Sequence, residues 1–311
     1  MVTPFRRAAP GIAMAVAITA VSSSAPMVVL AHEGHVPPLA VAFWRNAIAV
    51  ALLIPAALLW RRAEIRRLGR AGWRRCLVSG VALAVHFGTW IPSAVLTDVA
   101  TATALVSTTP LWTGLIAVLQ GRRPPRTTWI GVGAAVAGAA LATGAGVTVS
   151  ATAVLGDVLA LIGGLAGAVY VMAGSRAREE MSTVTYTAVV YSIAALGLLA
   201  VCLATGTPLW GYAAAGWLAI AAQTAGPQLL GHSLVNFALH RLDPTLVSLL
   251  LLLEVPGAAV LGAVWLGQTP PVAAWPGIAL LLAGVAVALA GQRAVRSTTP
   301  AHSPNGRVPS S

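Results

Sequence analysis

Few side chains in this sequence can do chemistry inside an apolar helix. Arg45, His86, His232 and Glu254 lie deep in long apolar runs, with Asp157 and His240 nearer the ends of theirs. An unpaired ionisable group at the centre of a bilayer costs roughly 2.5–3.5 kcal/mol on insertion scales, so it normally faces a cavity or a partner. Glu254 stands in "SLLLLLEVPGAAV", two residues before Pro256. That proline has no backbone N–H, so the carbonyl of Leu252 is expected to lose its helical partner. A carboxylate beside a freed carbonyl makes a notch able to take a proton, a cation or an amine. A structural glutamate bonded to a neighbouring helix is the alternative.

Other polar side chains fall into patterns. Gln228, His232 and Asn236 follow one another at i, i+4, which puts them on one face of a helix that lipid would not tolerate. Trp90 lies one turn after His86 and could stack on a solute or simply pack. Arg45 sits about two turns into its run and either snorkels to the surface or faces a cavity. Ser22, Ser23 and Ser24 precede Pro26, where they line a pathway or bond backbone; the backbone role is favoured. His32, Glu33 and His35 in "HEGH" include metal-ligand types. Without a further ligand they read as a solvated loop and no metal is expected. Cys76 and Cys202 are isolated from each other and read as small core residues.

These residues must be positioned by membrane helices. The chain has 311 residues, 58% of them hydrophobic and only 9% charged; soluble domains carry roughly a quarter charged residues. The apolar residues come in blocks of about 20, the length that spans a hydrocarbon core ~30 Å thick. Ten blocks are legible, near 10–31, 38–60, 73–96, 99–119, 127–146, 153–174, 184–205, 213–239, 243–266 and 272–291. The first, preceded by Arg6 and Arg7, is long for a signal peptide and is taken as a retained helix.

The net charge of +11 comes from arginine alone, for there is no lysine. Arg6 and Arg7, the seven arginines from Arg61 to Arg75, Arg122, Arg123, Arg126, Arg176, Arg178, Arg241, Arg293, Arg296 and Arg307 all fall on joints of one side. The opposite joints have no Lys or Arg. Positive joints are cytoplasmic, so both termini are expected inside. The charge orients the protein, and no nucleic-acid partner is implied.

The chain also repeats itself at an offset of 146. "PLWTGLIAVLQGRRPPRTTWIGVGAAVAG" from Pro110 matches "PGAAVLGAVWLGQTPPVAAWPGIALLLAG" from Pro256. The offset pairs Gly121 with Gly267, Pro124 and Pro125 with Pro270 and Pro271, Trp129 with Trp275, Gly131 with Gly277 and Gly138 with Gly284. It also carries Gly80 onto Gly226, His86 onto His232 and Arg45 onto Tyr191. Thr108, Thr109 and Pro110 occupy the turn equivalent to that of Glu254 and Pro256, so two polar, proline-bent turns are expected to face each other. Five spans per half force the second copy into the membrane upside down, an arrangement that marks secondary transporters with a site at midplane. The expected organisation is a cytoplasmic N-terminus at 1–9, a first repeat at 10–146, a linker at 147–152, a second repeat at 153–291 and a disordered cytoplasmic tail at 292–311.

Three stretches carry a family resemblance: "AFWRNAIA" in span two, "TATALVSTTPLWTGLIAVL" in span four and "DPTLVSLLLLLEVPGAAVLGAVWLG" in span nine. With the five-plus-five layout, the chain resembles the EamA-type transporters of the drug/metabolite transporter superfamily over residues 11–291. The resemblance implies an all-α fold of ten transmembrane helices in two inverted five-helix repeats. It also implies export or exchange of a small metabolite, amino acid or drug. The family often closes spans four and nine with Leu-Gly-Glu. Here Arg122 follows Gly121 and Gln268 follows Gly267, so no ion site is transferred to those positions.

The resulting expectation is a secondary transporter in a bacterial cytoplasmic membrane, working by alternating access, with proton coupling or exchange. It is not an enzyme and needs no cofactor; a homo-oligomer is left open. An inverted-repeat channel or a structural membrane protein is the alternative. Glu254, His86, His232, Asn236, Trp90 and Arg45 are expected to line the cavity, with Gln228, Thr108 and Tyr191 on the pathway and Pro110 and Pro256 as bends. No P-loop sequence is present. Alkaline phosphatase fused in the 206–212 joint is expected to be active and a fusion at Arg67 inactive. The opposite activities would invert the orientation.

Overall fold

The structure, a computed structural model, describes residues 4–97, 99–121, 124–143, 150–267, 272 and 274–298, and no strand occurs among them. In chain order the helices are α1 (Pro4–Ser22), α2 (Ser24–Glu33), α3 (Pro38–Trp60), α4 (Arg62–Arg66) and α5 (Arg70–Leu96). Then come α6 (Val99–Val106), α7 (Thr109–Leu119), α8 (Arg126–Thr143), α9 (Ala151–Ala177) and α10 (Thr183–Ala204). The rest are α11 (Ala214–Gln223), a π-helical stretch (Thr224–His232), α12 (Ser233–Leu239), α13 (Pro244–Leu251), α14 (Glu254–Leu266) and α15 (Ala274–Thr298). Among the described residues six segments are long and apolar enough to cross a membrane: Pro10–Glu33, Pro38–Trp60, Arg70–Leu96, Ala151–Ala177, Thr183–Ala204 and Leu246–Leu266. The helix ends depart from the expected joints in two places. Helix α1 begins at Pro4, and α15 continues to Thr298 into the segment expected as tail. Arg122, Arg123, Gln268, Pro270, Pro271 and Arg307 lie outside the described residues.

Four expected spans are interrupted, each beside a proline: Pro26, Pro110, Pro227 and Pro256. A proline cannot donate to the carbonyl four residues back, so that carbonyl must find another donor where no water is available. Pro110 leaves Val106, whose carbonyl accepts from Thr109 Oγ1 at 2.8 Å. Pro256 leaves Leu252, which was expected to stay unpaired. Instead the chain tightens into a three-residue turn and the N–H of Val255 donates to that carbonyl at 3.1 Å. Near Pro26, which cannot donate to the carbonyl of Ser22, the helix breaks at Ser23, and the hydroxyls of Ser22 and Ser23 donate to other carbonyls, those of Ile18 and Ala20, at 2.7 and 2.6 Å. The fourth interruption is the π-helical stretch around Pro227, where an ordinary α-helix was expected.

The two halves meet most closely along α8 and α15. A Cβ on Gly131 would lie 2.6 Å from the carbonyl oxygen of Gly284, and one on Gly138 would lie 2.7 Å from that of Gly277. Rising numbers on α8 meet falling numbers on α15, so the helices run antiparallel. The offset of 146 turns the first contact into the second, which makes the pair two-fold symmetric. Only glycine lets helix backbones approach this closely, a common packing device in membranes.

Each end of the bundle is strapped across the halves. At the arginine-rich end Arg75 pairs with Glu180, Ser182 donates to Glu64 through N–H and hydroxyl, and Arg176 Nη2 donates to Gln120 Oε1 at 2.7 Å. At the other end Trp44 Nε1 donates to the carbonyl of Leu209 at 2.8 Å and its ring packs on Trp210 and Trp217. Cys76 and Cys202 are buried and unbridged. His32 and Glu33 end α2, so they do not form the loop expected of "HEGH". Among the described residues no group of three or more His, Cys, Asp or Glu is placed to hold a metal.

Replacing Gly284 by Val should lower the thermal unfolding midpoint, because overpacking a close contact costs about 1–3 kcal/mol. The same change at Gly133, where a Cβ meets nothing within 4 Å, should be close to neutral. Equal midpoints for the two variants would show that the α8–α15 contact is not a packing constraint.

Candidate functional site

The four interruptions converge. Ser24 after the first break, Ser107, Thr109 and Pro110 at the second, His232 at the end of the π-helical stretch, and Leu252 and Glu254 at the last all line one cavity. Its volume is about 90 Å³, small beside the ~300–1,000 Å³ typical of drug-sized ligand sites. Helix α9 adds Gly167 and Tyr170, and α5 adds His86 and Trp90. A helix break turns polar backbone and short hydroxyl side chains toward the protein interior, which is why broken helices build polar sites in membranes.

The histidines that the repeat pairs are neighbours in space, with ring centroids 6.5 Å apart. Nδ1 of His86 lies 2.8 Å from the carbonyl of Gly163, so that nitrogen carries hydrogen toward the backbone and Nε2 is left to face elsewhere. Trp90 lies parallel to His86, with centroids 6.1 Å apart and planes 11° from parallel. Its indole Nε1 is buried and makes no hydrogen bond. Phe87 and Tyr170 complete the aromatic wall around His232, at 5.1 and 6.3 Å.

Other candidate residues stand behind this wall. Arg45 neither snorkels nor lines the cavity. It is fully buried, with its guanidinium 4.2 Å over the Phe87 ring, and its Nε donates to Gln228 Oε1 at 2.9 Å. Gln228 is accordingly not a lining residue; its Nε2 donates onward to Asn46 Oδ1 at 3.0 Å. Asn236 is also set back, and its Oδ1 accepts from Tyr170 Oη at 2.8 Å. Tyr191 is buried in the core away from the lining. The Thr108 hydroxyl donates to Leu105 at 2.7 Å and accepts from Trp112 Nε1 at 3.1 Å, so Thr109 is the threonine that reaches the cavity. The stripe on span eight therefore divides: His232 faces the cavity, while Gln228 and Asn236 hold side chains one turn to either side. Of the three serines, Ser22 and Ser23 bond backbone and Ser24 reaches the cavity. Pro256 bends its helix without lining the cavity.

Arg178 was assigned to an arginine-bearing cytoplasmic joint, yet it is fully buried. Its Nη1 donates to Asn236 Oδ1 at 2.8 Å and its guanidinium lies 4.3 Å over Tyr186, whose hydroxyl bonds Ser79. A signal for this was present. Residues two apart on a helix point roughly 200° apart, at ~100° per residue. Arg176 and Arg178 therefore cannot both face water.

A bundle of two matched halves, with broken helices around a central cavity, has the architecture of multi-pass helical membrane proteins. The sequence model of the EamA-like transporter family matches residues 9–144 and 154–290. The chain belongs to that family. A comparison with curated proteins gives no match. Among solved structures, one titled only as the crystal structure of a protein shares 23% identity over 92% of this chain and 98% of its own, with a TM-score of 0.75. At that identity the likeness shows the fold.

In a background with Cys76 and Cys202 replaced by Ser, Ser107→Cys should react readily with a small membrane-permeant thiol reagent. Ser22→Cys, which packs against Gly257, should stay protected. Equal labelling of the two would show that solvent does not enter the cavity.

Proposed function

We propose that this protein is a secondary transporter that exports or exchanges a small organic solute by alternating access at the central cavity. The observation that carries the reading is the convergence on one cavity of four helix interruptions, the repeat-related pair His86 and His232, and Glu254. Ten spans in two inverted repeats, with both termini in the cytoplasm of a bacterial cell, give the halves opposite orientations. The antiparallel, two-fold contact of α8 with α15 supports that inversion. Two like halves can exchange conformations, so a single site opens first to one side and then to the other.

The side chains have distinct parts in this reading. Trp90 and His86 offer stacked ring faces, and His232, Tyr170, Ser107 and Ser248 offer hydrogen-bonding groups. Glu254 is the acidic group of the lining, at the first turn of α14, and it carries the coupling proton. Opening requires one set of straps to part: the charged and polar contacts at the arginine-rich end, or the tryptophan cluster at the other.

Comparing metabolites released by cells with and without the protein identifies a transported solute, whose flux is then followed in liposomes. Glu254→Gln should fold, and its flux should no longer respond to an imposed pH gradient. Retention of the wild-type response would assign Glu254 a structural role. Ohmic, non-saturating flux would make the protein a channel.

A further inference from the structure

The polar stripe on span eight ends in a guanidinium at each side of the cavity. Gln228 holds Arg45 from the first half, and Asn236 holds Arg178 from the second. Both guanidiniums are fully buried and both are stacked on an aromatic ring, Phe87 and Tyr186 respectively. Each is one residue away from the cavity wall. Arg45 Nη1 lies 3.5 Å from Oγ of the lining residue Ser24. Arg178 shares Asn236 Oδ1 with Oη of the lining residue Tyr170.

Each also keeps donors without an acceptor. Arg45 Nη2, Arg178 Nε and Arg178 Nη2 are buried and make no hydrogen bond. A guanidinium holds its charge under all protein conditions and presents five donors suited to a flat oxyanion. A charge so far from water requires an opposite charge or a full set of hydrogen bonds. Among the described residues neither arginine forms an ion pair. Glu254 interacts with Arg45 electrostatically but is not bonded to it. Glu180 pairs with Arg75, and Glu179 lines a surface groove with Arg74 and Arg176. Two fixed positive charges thus flank a cavity lined by one carboxyl group.

We propose that the transported solute is a small organic carboxylate, passed between Arg178 and Arg45 through the cavity as the halves rock. The proposal rests on the transport reading and gives its site a substrate class. A carboxylate supplies the acceptors that these donors lack and lowers the net positive charge of the region. An organic cation would add a third positive charge and leave the donors unmet. The ring faces of Trp90 and His86 take the solute's hydrocarbon part, and the small cavity limits that part to a few carbons.

The test uses the full-length protein in detergent and reads the shift of its thermal unfolding midpoint with rising ligand concentration. The probes are three charge series of matched shape: lactate, lactamide and 1-amino-2-propanol; propionate, propionamide and propylamine; benzoate, benzamide and benzylamine. At least one carboxylate should raise the midpoint, and no amine or amide should do so. The carboxylate shift should vanish in Arg45→Gln and Arg178→Gln and be partly kept in the Lys variants. Stabilisation by the amines, no shift with any carboxylate, or an undiminished shift in both Gln variants would each overturn the proposal. Should a Gln variant fail to fold, the wild-type series still decides it. Amine flux in liposomes would sink the carboxylate proposal and leave transport standing, whereas absence of solute flux would remove the transport reading itself.

Discussion

The need to replace lost backbone hydrogen bonds from within the protein governs this structure. A hydrocarbon surround supplies no water, so a lost backbone hydrogen bond must be replaced on the spot. Two proline breaks obey that rule by local means: the Thr109 hydroxyl at Pro110 and a tightened turn at Pro256. The replacements hold each break in one shape. Fixed breaks in turn let Ser24, Thr109 and Glu254 reach a shared cavity.

The buried charged side chains are satisfied only in part. Arg45 and Arg178 enter the core only because Gln228 and Asn236 accept from them and because Phe87 and Tyr186 cover their faces. Those two acceptors lie on the span that also carries His232 between them. One helix therefore links the cavity to a buried positive charge at each side and ties together residues from both halves. The span meets α3 through Arg45, α5 through the rings of His86 and Phe87, and the end of α9 through Arg178.

Much of this was legible along the chain. The 146-residue offset foretold that His86 and His232 correspond, and they meet at 6.5 Å. It also marked Gly131, Gly138, Gly277 and Gly284, which prove to be the contact points of α8 and α15. Pro110 and Pro256 marked two of the four interruptions in place. They did not reveal how the freed carbonyls would be satisfied, because that depends on whether a neighbouring hydroxyl or a three-residue turn can reach them. The π-helical stretch was also hidden, since its residues keep the same spacing that an α-helix would give a polar stripe.

Side-chain neighbours across helices lay beyond the sequence. A helix that is apolar on nearly every face carries little record of its rotation, so Arg45, Tyr191 and Asn236 could not be placed in or behind a cavity from spacing alone. Arg178 was misplaced for a related reason, its arginine neighbours making it look like one more surface charge. The sequence by itself determined membrane embedding, the doubled architecture and two of the helix breaks, because hydropathy, repetition and proline chemistry are local properties; Pro10, Pro55 and Pro92 lie in unbroken helices. Tertiary structure alone decided which polar groups share the cavity and which stand guard behind it, because that choice rests on helix rotation and register between segments far apart in the chain.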